Sequence, residues 1–176
     1  MIIKHEDVTL RAVEESDMEL LREMINNPEI ENMVAGSSFP VSSFAQRKWF
    51  ENLLNNKNEL RLIIDTDTYG SIGTITLTKI DWKNRNSQLN IKITNKKDLY
   101  GKGYGSKATK ALIKYAFEQL NMQCIYSHIL EYNIASQRLH EKIGFKKEGI
   151  LRERVYKNSK YHNLIVWSIL KGELNE

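Results

Sequence analysis

The sequence predicts an α/β (α+β) fold in which a mixed, mostly antiparallel sheet is flanked by helices and contains one parallel strand pair. Three observations carry this. Two Ser-x-x-Glu/Gln boxes open amphipathic helical patterns in the first third of the chain. Three alternating segments joined by short polar turns follow, and short connections make neighbouring strands antiparallel. Gly101, Gly103 and Gly105 then lead into a helix and a further strand, the connection that makes a parallel pair. With 176 residues, two prolines and no low-complexity linker or repeat, a single domain over 1–176 is expected.

The elements follow in order. Val8–Val13 alternates as a first strand. Ser16 with Glu19 forms a capping box ahead of the stripe Leu20, Leu21, Met24 and Ile25, and the helix ends near Asn26–Asn27. Ser43 with Gln46 opens a second helix, on which Ala45, Trp49 and Leu53 lie one above another beside Phe50 and Leu54, and Asn55–Asn56 end it. Strands are predicted at Arg61–Asp65, Ser71–Thr78 and Gln88–Thr94, turned by Asp67–Gly70 and Asp81–Asn86. Leu89, Ile91 and Ile93 share one face. After Asn95–Leu99 and the glycines, Ala108, Ala111, Leu112, Tyr115, Ala116 and Leu120 mark the buried side of a helix. Cys124–Leu130 is the parallel strand. Asn133 caps a short helix through Ile143, Gly144 ends it, and strands around Lys146–Val155 and His162–Leu170 close the sheet.

Composition limits the function classes. The net charge of +4 and pI near 9.0 arise from basic residues interspersed with acidic ones, so no nucleic-acid partner is expected. The lone Cys124 excludes an internal disulfide framework and a cysteine-rich metal site, and fits a reducing compartment. No apolar run approaches the ~20 residues of a membrane span, and MIIKHEDV lacks a signal-peptide core. A cytoplasmic protein without a membrane partner is expected. Four scattered histidines suggest no metal.

The glycines point to a phosphate. A Walker loop is ruled out by spacing. Gly103-Tyr-Gly105-Ser-Lys-Ala108 matches the dinucleotide fingerprint formally, with Glu131 at the end of the next strand as a ribose-binding acid, but a charged connector separates the preceding strand from the glycines. The third reading is a pyrophosphate cradle of backbone N–H groups from Gly101 to Ser106 at a helix N-terminus. Lys107, Lys110 and Lys114 on one side of that helix would add attraction, or form a solvated face.

Strand, YGKGYGSKA, helix, strand and 133-NIASQRLHEKIGFKKEG-149 together resemble the acetyl-coenzyme A site of the GNAT N-acetyltransferase superfamily. The stretches 9-TLRAVEESDMELL-21 and 151-LRERVYKNSKYHNLIVWSILKGE-173 resemble the opening and closing segments of its Rim-type branch, which includes ribosomal-protein N-terminal and spermidine acetyltransferases. The resemblance implies a GNAT-like sheet with the parallel pair around the coenzyme A site. It implies acetyl-CoA as co-substrate and direct transfer of the acetyl group to a primary amine: a peptide N-terminus, an amino sugar, a polyamine or a small amine. The alternative is a coenzyme A-binding module without turnover. A homodimer is compatible with both.

By the same resemblance, backbone groups of Ile91, Ile93 and Thr94 pair with the pantetheine arm. Tyr100, Gly101, Lys102, Gly103, Tyr104, Gly105 and Ser106 form the cradle, with Tyr100 where relatives carry Gln or Arg, and Asn133 and Ser136 supply polar groups. The family's tyrosine acid is replaced by His140, the expected catalytic residue, since an imidazole can protonate a thiolate. Tyr132 stands next in line. Gln88 replaces a glutamate base carried by some relatives, which leaves Glu29, Glu31 and a water chain. Tyr161, His162 and Asn163 are expected at the acceptor side or as plain strand residues, and Trp49 and Phe50 as helix core. The acidic segment of spermidine enzymes is replaced by the nearly uncharged 34-VAGSSFPVSS-43.

Overall fold

Ile3–His5 (β1) and Val8–Ala12 (β2) form a hairpin at one edge of an eight-stranded sheet in the computed structural model, which describes residues 2–36, 39–53 and 55–175. A turn at Glu15–Asp17 leads into helix Met18–Asn26 (α1), followed by Pro28–Asn32 (α2) and Ser43–Leu53 (α3). Strands Leu60–Thr66 (β3), Gly70–Asp81 (β4) and Asn86–Ile93 (β5) come next. Helix Tyr104–Glu118 (α4), strand Cys124–Leu130 (β6), helix Ile134–Ile143 (α5) and strands Lys146–Lys157 (β7) and Lys160–Leu170 (β8) complete the fold. The sheet order is β1-β2-β3-β4-β5-β6-β8-β7, and only β5 and β6 run parallel, as predicted. Among the described residues no helix is long and apolar enough to cross a membrane.

Both predicted capping boxes are displaced. The Glu14 N–H donates to Asp17 Oδ2 at 2.8 Å, so the first box is Glu14 with Asp17. Asp17 is fixed there by a tertiary partner, because Arg11 grips both its oxygens at 2.7 and 2.8 Å and also pairs with Asp65. In α3 the Ser42 hydroxyl, not that of Ser43, accepts the Ala45 N–H at 3.1 Å. Helix α2 was not anticipated: Asn27 was expected to end a helix, yet its side-chain oxygen accepts from Glu29 and Ile30 and starts another, with Pro28 in the first turn.

Helix α4 buries Ala108, Ala111, Leu112, Ile113 and Ala116 against Leu10, Ile64, Ile75, Leu77 and Leu89 of the sheet; of the expected stripe, Tyr115 is only half-buried and Leu120 lies beyond the helix end, while Ile113 joins the buried side. Helices α1 and α3 lie over the other face. There Ala45 is exposed and Trp49, Phe50 and Leu53 are only half-buried, while Gln46 is the buried residue of α3. The expected Leu54 and the residues Ser37 and Ser38 lie outside the described residues. Helix α3 therefore roofs a space rather than sealing a core.

That space opens where the sheet splits. Strands β5 and β6 pair only over Asn86–Gln88 with Cys124–Tyr126 and then part. Beyond the split, Ser127 Oγ reaches Leu89 O at 3.1 Å in place of a ladder bond. The Thr94 N–H bonds Ile72 O on the β4 side at 2.8 Å. Strand alternation then sends the backbone groups of Leu89, Ile91 and Ile93 into the split and those of Gln88, Asn90, Lys92 and Thr94 toward β4.

Candidate active site

A cavity of about 770 Å³ occupies the split. On the side of α4 and α5 its wall includes Ile91, Ser127, Asn133, Ser136 and His140, and on the side of α1 and α3 it includes Thr76, Gln88, His128, Trp49 and Arg61. The two sides follow from alternation along β6: Ser127 meets His140 of α5, so its neighbour His128 faces the opposite way.

The glycine loop stands at the end of β5. Gly101 and Gly103 have φ of 73° and 77°, and a Cβ on either would meet nothing within 4 Å, so both are required by backbone conformation. Gly105 has a different reason: its Cβ would lie 3.0 Å from Leu139 Cδ1, where α4 crosses α5. Gly103 caps α4 without any side-chain partner, and the first helical bond is Lys107 N–H to Gly103 O at 3.0 Å. The N–H groups of Tyr104, Gly105 and Ser106 therefore point out of an open helix end. The Lys102 N–H is drawn to Leu99 O at 3.4 Å.

Several expected residues are placed differently. The Tyr104 ring is buried in the core against Tyr69, leaving only its backbone for a ligand. Thr94 spends its N–H on β4 and so does not extend the free edge with Ile91 and Ile93. Tyr100 is 65% exposed, its hydroxyl donating to Asn95 O at 3.3 Å. Lys107 turns from the loop to Asp7 and Glu6 at 2.6 and 3.0 Å, because the unforeseen β1–β2 hairpin puts carboxylates beside it. Asn133 caps α5 through Ser136 N–H at 3.1 Å and donates to Met33 O at 2.8 Å, which ties the segment after α2 to the cavity wall.

His140 is 2% exposed, and both ring nitrogens are engaged: Nδ1 with Ser136 O at 2.8 Å and Nε2 with Ser127 Oγ at 2.9 Å. Phe145 packs edge-on against it. Burial pushes its pKa below the ordinary imidazole range, opposed by the Ser136 carbonyl. A carbonyl can only accept, so Nδ1 of the neutral ring carries the proton and Nε2 is an acceptor, which leaves Nε2 and Leu89 O sharing the single Ser127 hydroxyl proton. The imidazole thus has no proton directed at the cavity. Ser127 stands between them.

Glu29 and Glu31 line a separate recess with Asn27, Asn32 and Lys157, away from Ser127 and Gln88. Glu31 is ion-paired with Lys92, and Glu29 takes a hydrogen bond from Asn95. Tyr161, His162 and Asn163 are also outside the cavity. Asn163 binds Glu131 through both its backbone and side-chain N–H, at 3.0 and 2.9 Å, and His162 flanks the same carboxylate at 3.4 Å. This strut holds the end of β6 to β8 and occupies the carboxylate that a dinucleotide ribose would need. Tyr132 donates to Asn32 O at 2.6 Å.

Gln88 does line the cavity. Its Oε1 is buried with no hydrogen-bond partner among the described residues. Sequence reasoning missed His128 beside it, although its place two residues after Tyr126 on the polar face of β6 was a signal. The His128 ring nitrogens have no hydrogen-bond partner among the described residues, and its pKa is pushed down by burial and by Lys79 and Arg154. Such a ring is neutral near pH 7 and has a lone pair free for a proton.

Residues 7–146 match the family model described as an acetyltransferase (GNAT) domain. The chain is 32% identical over 178 residues to YdaF of Bacillus subtilis, provisionally named a ribosomal N-acetyltransferase, covering 96% of this chain and 94% of that one. It is 27% identical over 167 residues to spermidine N(1)-acetyltransferase of Vibrio cholerae, covering 94% of each. A crystal structure of spermidine N-acetyltransferase from Vibrio cholerae in complex with CoA and spermine superposes with a TM-score of 0.87 at 26% identity, over 95% of this chain and 97% of that chain. The family match over residues 7–146 and the 32% identity to YdaF over nearly the whole of both chains show that the chain belongs to the GNAT acetyltransferase family.

Proposed function

We propose that the chain, acting as one domain, transfers the acetyl group of acetyl-CoA to a primary amine by direct attack. The observation that carries this is the continuity of two unpartnered backbone surfaces: the free edge of β5 at Ile91 and Ile93, and the open N-terminus of α4 at Gly103–Ser106. An extended, amide-bearing arm fits the first as an added strand, and a pyrophosphate fits the second, where N–H groups and the helix dipole meet an anion. The αL glycines leave room for that approach.

Acetyl-CoA supplies an activated thioester carbonyl and a thiolate leaving group. The protein supplies position and proton traffic. The Ile91 N–H faces the split and donates to the carbonyl oxygen as it gains charge. On the other face of the sheet, Gln88 Oε1 accepts a hydrogen bond from the acceptor ammonium and His128 takes its proton, freeing the lone pair for attack. As the C–S bond breaks, the Ser127 O–H turns from Leu89 O and His140 Nε2 to hydrogen-bond the thiolate, which takes its own proton from solvent after release. His140 is then a positioning residue that holds Ser127, rather than the acid itself.

Thiol release from acetyl-CoA across a panel of amines tests the reading. At least one amine should release thiol, and His128→Gln should lower kcat about 10²- to 10⁴-fold without changing the thermal shift given by acetyl-CoA. A protein that binds acetyl-CoA but releases no thiol with any amine is a binding module. Unchanged turnover in His128→Gln removes His128 from the mechanism.

A further inference from the structure

The charged side chains that line the cavity are of one sign. Arg61, Lys79, Lys92 and Arg154 line it, and no described Asp or Glu does. Two of these cations are neutralised from outside the wall, Lys92 by Glu31 and Arg61 by Glu59 at 2.6 Å. Lys79 and Arg154 have no ion-pair partner among the described residues. Both are exposed at the cavity rim.

Their placement is a product of irregular strands. Lys79 sits in the break of register between Thr78 and Asp81 of β4, with φ of 51°. Arg154 sits in the break between Leu151 and Val155 of β7, next to Glu153 with φ of 48°. Bulges re-aim side chains. Here two of them, on strands separated by β5, β6 and β8, bring one cation each to the surroundings of His128. Gln88, paired across the sheet with Thr78 and Tyr126, lies between these positions with its unsatisfied carbonyl oxygen.

These cations are not part of the pyrophosphate cradle. His128 lies on the face of β6 opposite Ser127 and α5, whereas Gly105 at the start of α4 packs on Leu139 of α5. The rim cations therefore belong to the acceptor half of the cavity. Resting on the transfer function above, we infer that the acceptor is a primary amine bearing a negatively charged group close to the amine, with the anion held between Lys79 and Arg154 and the ammonium at Gln88. A polyamine would bring further positive charge to a wall that has no carboxylate to receive it, and like charges across an interface reject a partner.

The test is a series sharing one aminoethyl unit and differing only in the second group: 2-aminoethyl phosphate, β-alanine, ethanolamine and ethylenediamine, with spermidine alongside. A peptide pair with glutamate or lysine as the second residue separates a peptide source of the anion from a small-molecule one. Thiol release is read at limiting amine. The anionic members should exceed ethanolamine in kcat/KM by about tenfold or more, and ethylenediamine and spermidine should fall below it. In Lys79→Gln/Arg154→Gln the ratio of anionic to neutral acceptor should collapse toward one. Leading activity with spermidine or ethylenediamine, or a ratio that survives the double substitution, overturns the inference while leaving acetyl transfer in place. Failure of every amine to release thiol overturns both.

Discussion

Gly103 is the position where a small change separates the fold from the ligand. It sits at φ 77° and ψ 7° as the N-cap of α4, and a Cβ built on it meets nothing within 4 Å. Gly103→Ala therefore costs only the left-handed backbone, about 1–2 kcal/mol, which for a chain of this length lowers Tm by about 2–8 °C. With acetyl-CoA present the expectation differs. At a ligand concentration a hundred times Kd the wild-type protein gains about 2.7 kcal/mol by mass action. If the methyl group obstructs the pyrophosphate and weakens binding tenfold, that gain falls to about 1.4 kcal/mol, and to about 0.4 kcal/mol for a hundredfold loss. Gly70→Ala is the matched control, because Gly70 also has a positive φ of 63° and open space around it but stands at the start of β4. Differential scanning fluorimetry of the three proteins, with and without acetyl-CoA at one concentration, reads both quantities. Gly70→Ala should lose baseline Tm and keep the ligand shift. A full ligand shift in Gly103→Ala, or a larger shift with NAD than with acetyl-CoA in the wild type, would refute the assignment of the cradle.

Two further outcomes are expected. Gly73→Ala places a Cβ 2.2 Å from Lys92 O and 2.9 Å from Ile93 Cα, so β4 and β5 must part by about an ångström; unfolding in urea should show a loss of about 1–3 kcal/mol, and the acetyl-CoA shift should shrink because the free edge of β5 moves. Stability unchanged in that variant would mean that the register there is wrong. His140 is neutral in the fold because burial depresses its pKa, while in the unfolded chain it titrates near 6.5. Below that value the unfolded state binds more protons, so the stability His140 contributes is complete above about pH 6.5 and is lost as pH falls through its depressed folded value. His128, facing Lys79 from β4 and Arg154 from β7, adds to the same slope. Tm measured from about pH 8 to pH 5 should fall toward acid, and less steeply in His140→Gln; an equal slope in both proteins would place the titration elsewhere.

The sequence by itself determined the elements whose signals are local. Asn133 and Gly144 bound α5 through caps that need only neighbouring backbone, the alternation in β3, β4 and β5 set their pairing, and the glycines announced the loop. It also placed Ile91, Ile93 and the segment Gly101–Ser106, because backbone surfaces are fixed once strand and helix are known. Tertiary structure decided what side chains do. Asp17 outcompeted the Ser16 cap because Arg11 of β2, itself held by Asp65 of β3, came to it, and Lys107 left the loop because Asp7 lay beside it. His140 could be aligned with a catalytic position, yet its proton is committed to Ser136, a contact that appears only when α5 packs on β6. The cavity wall on the side of α1 and α3 was least visible of all, since Lys79, Gln88, His128 and Arg154 come from four strands and meet only through the parting of β5 from β6 and the bulges in β4 and β7. A single sequence carries the propensity for each strand, but the free energy that aims a side chain across a split sheet depends on partners far along the chain.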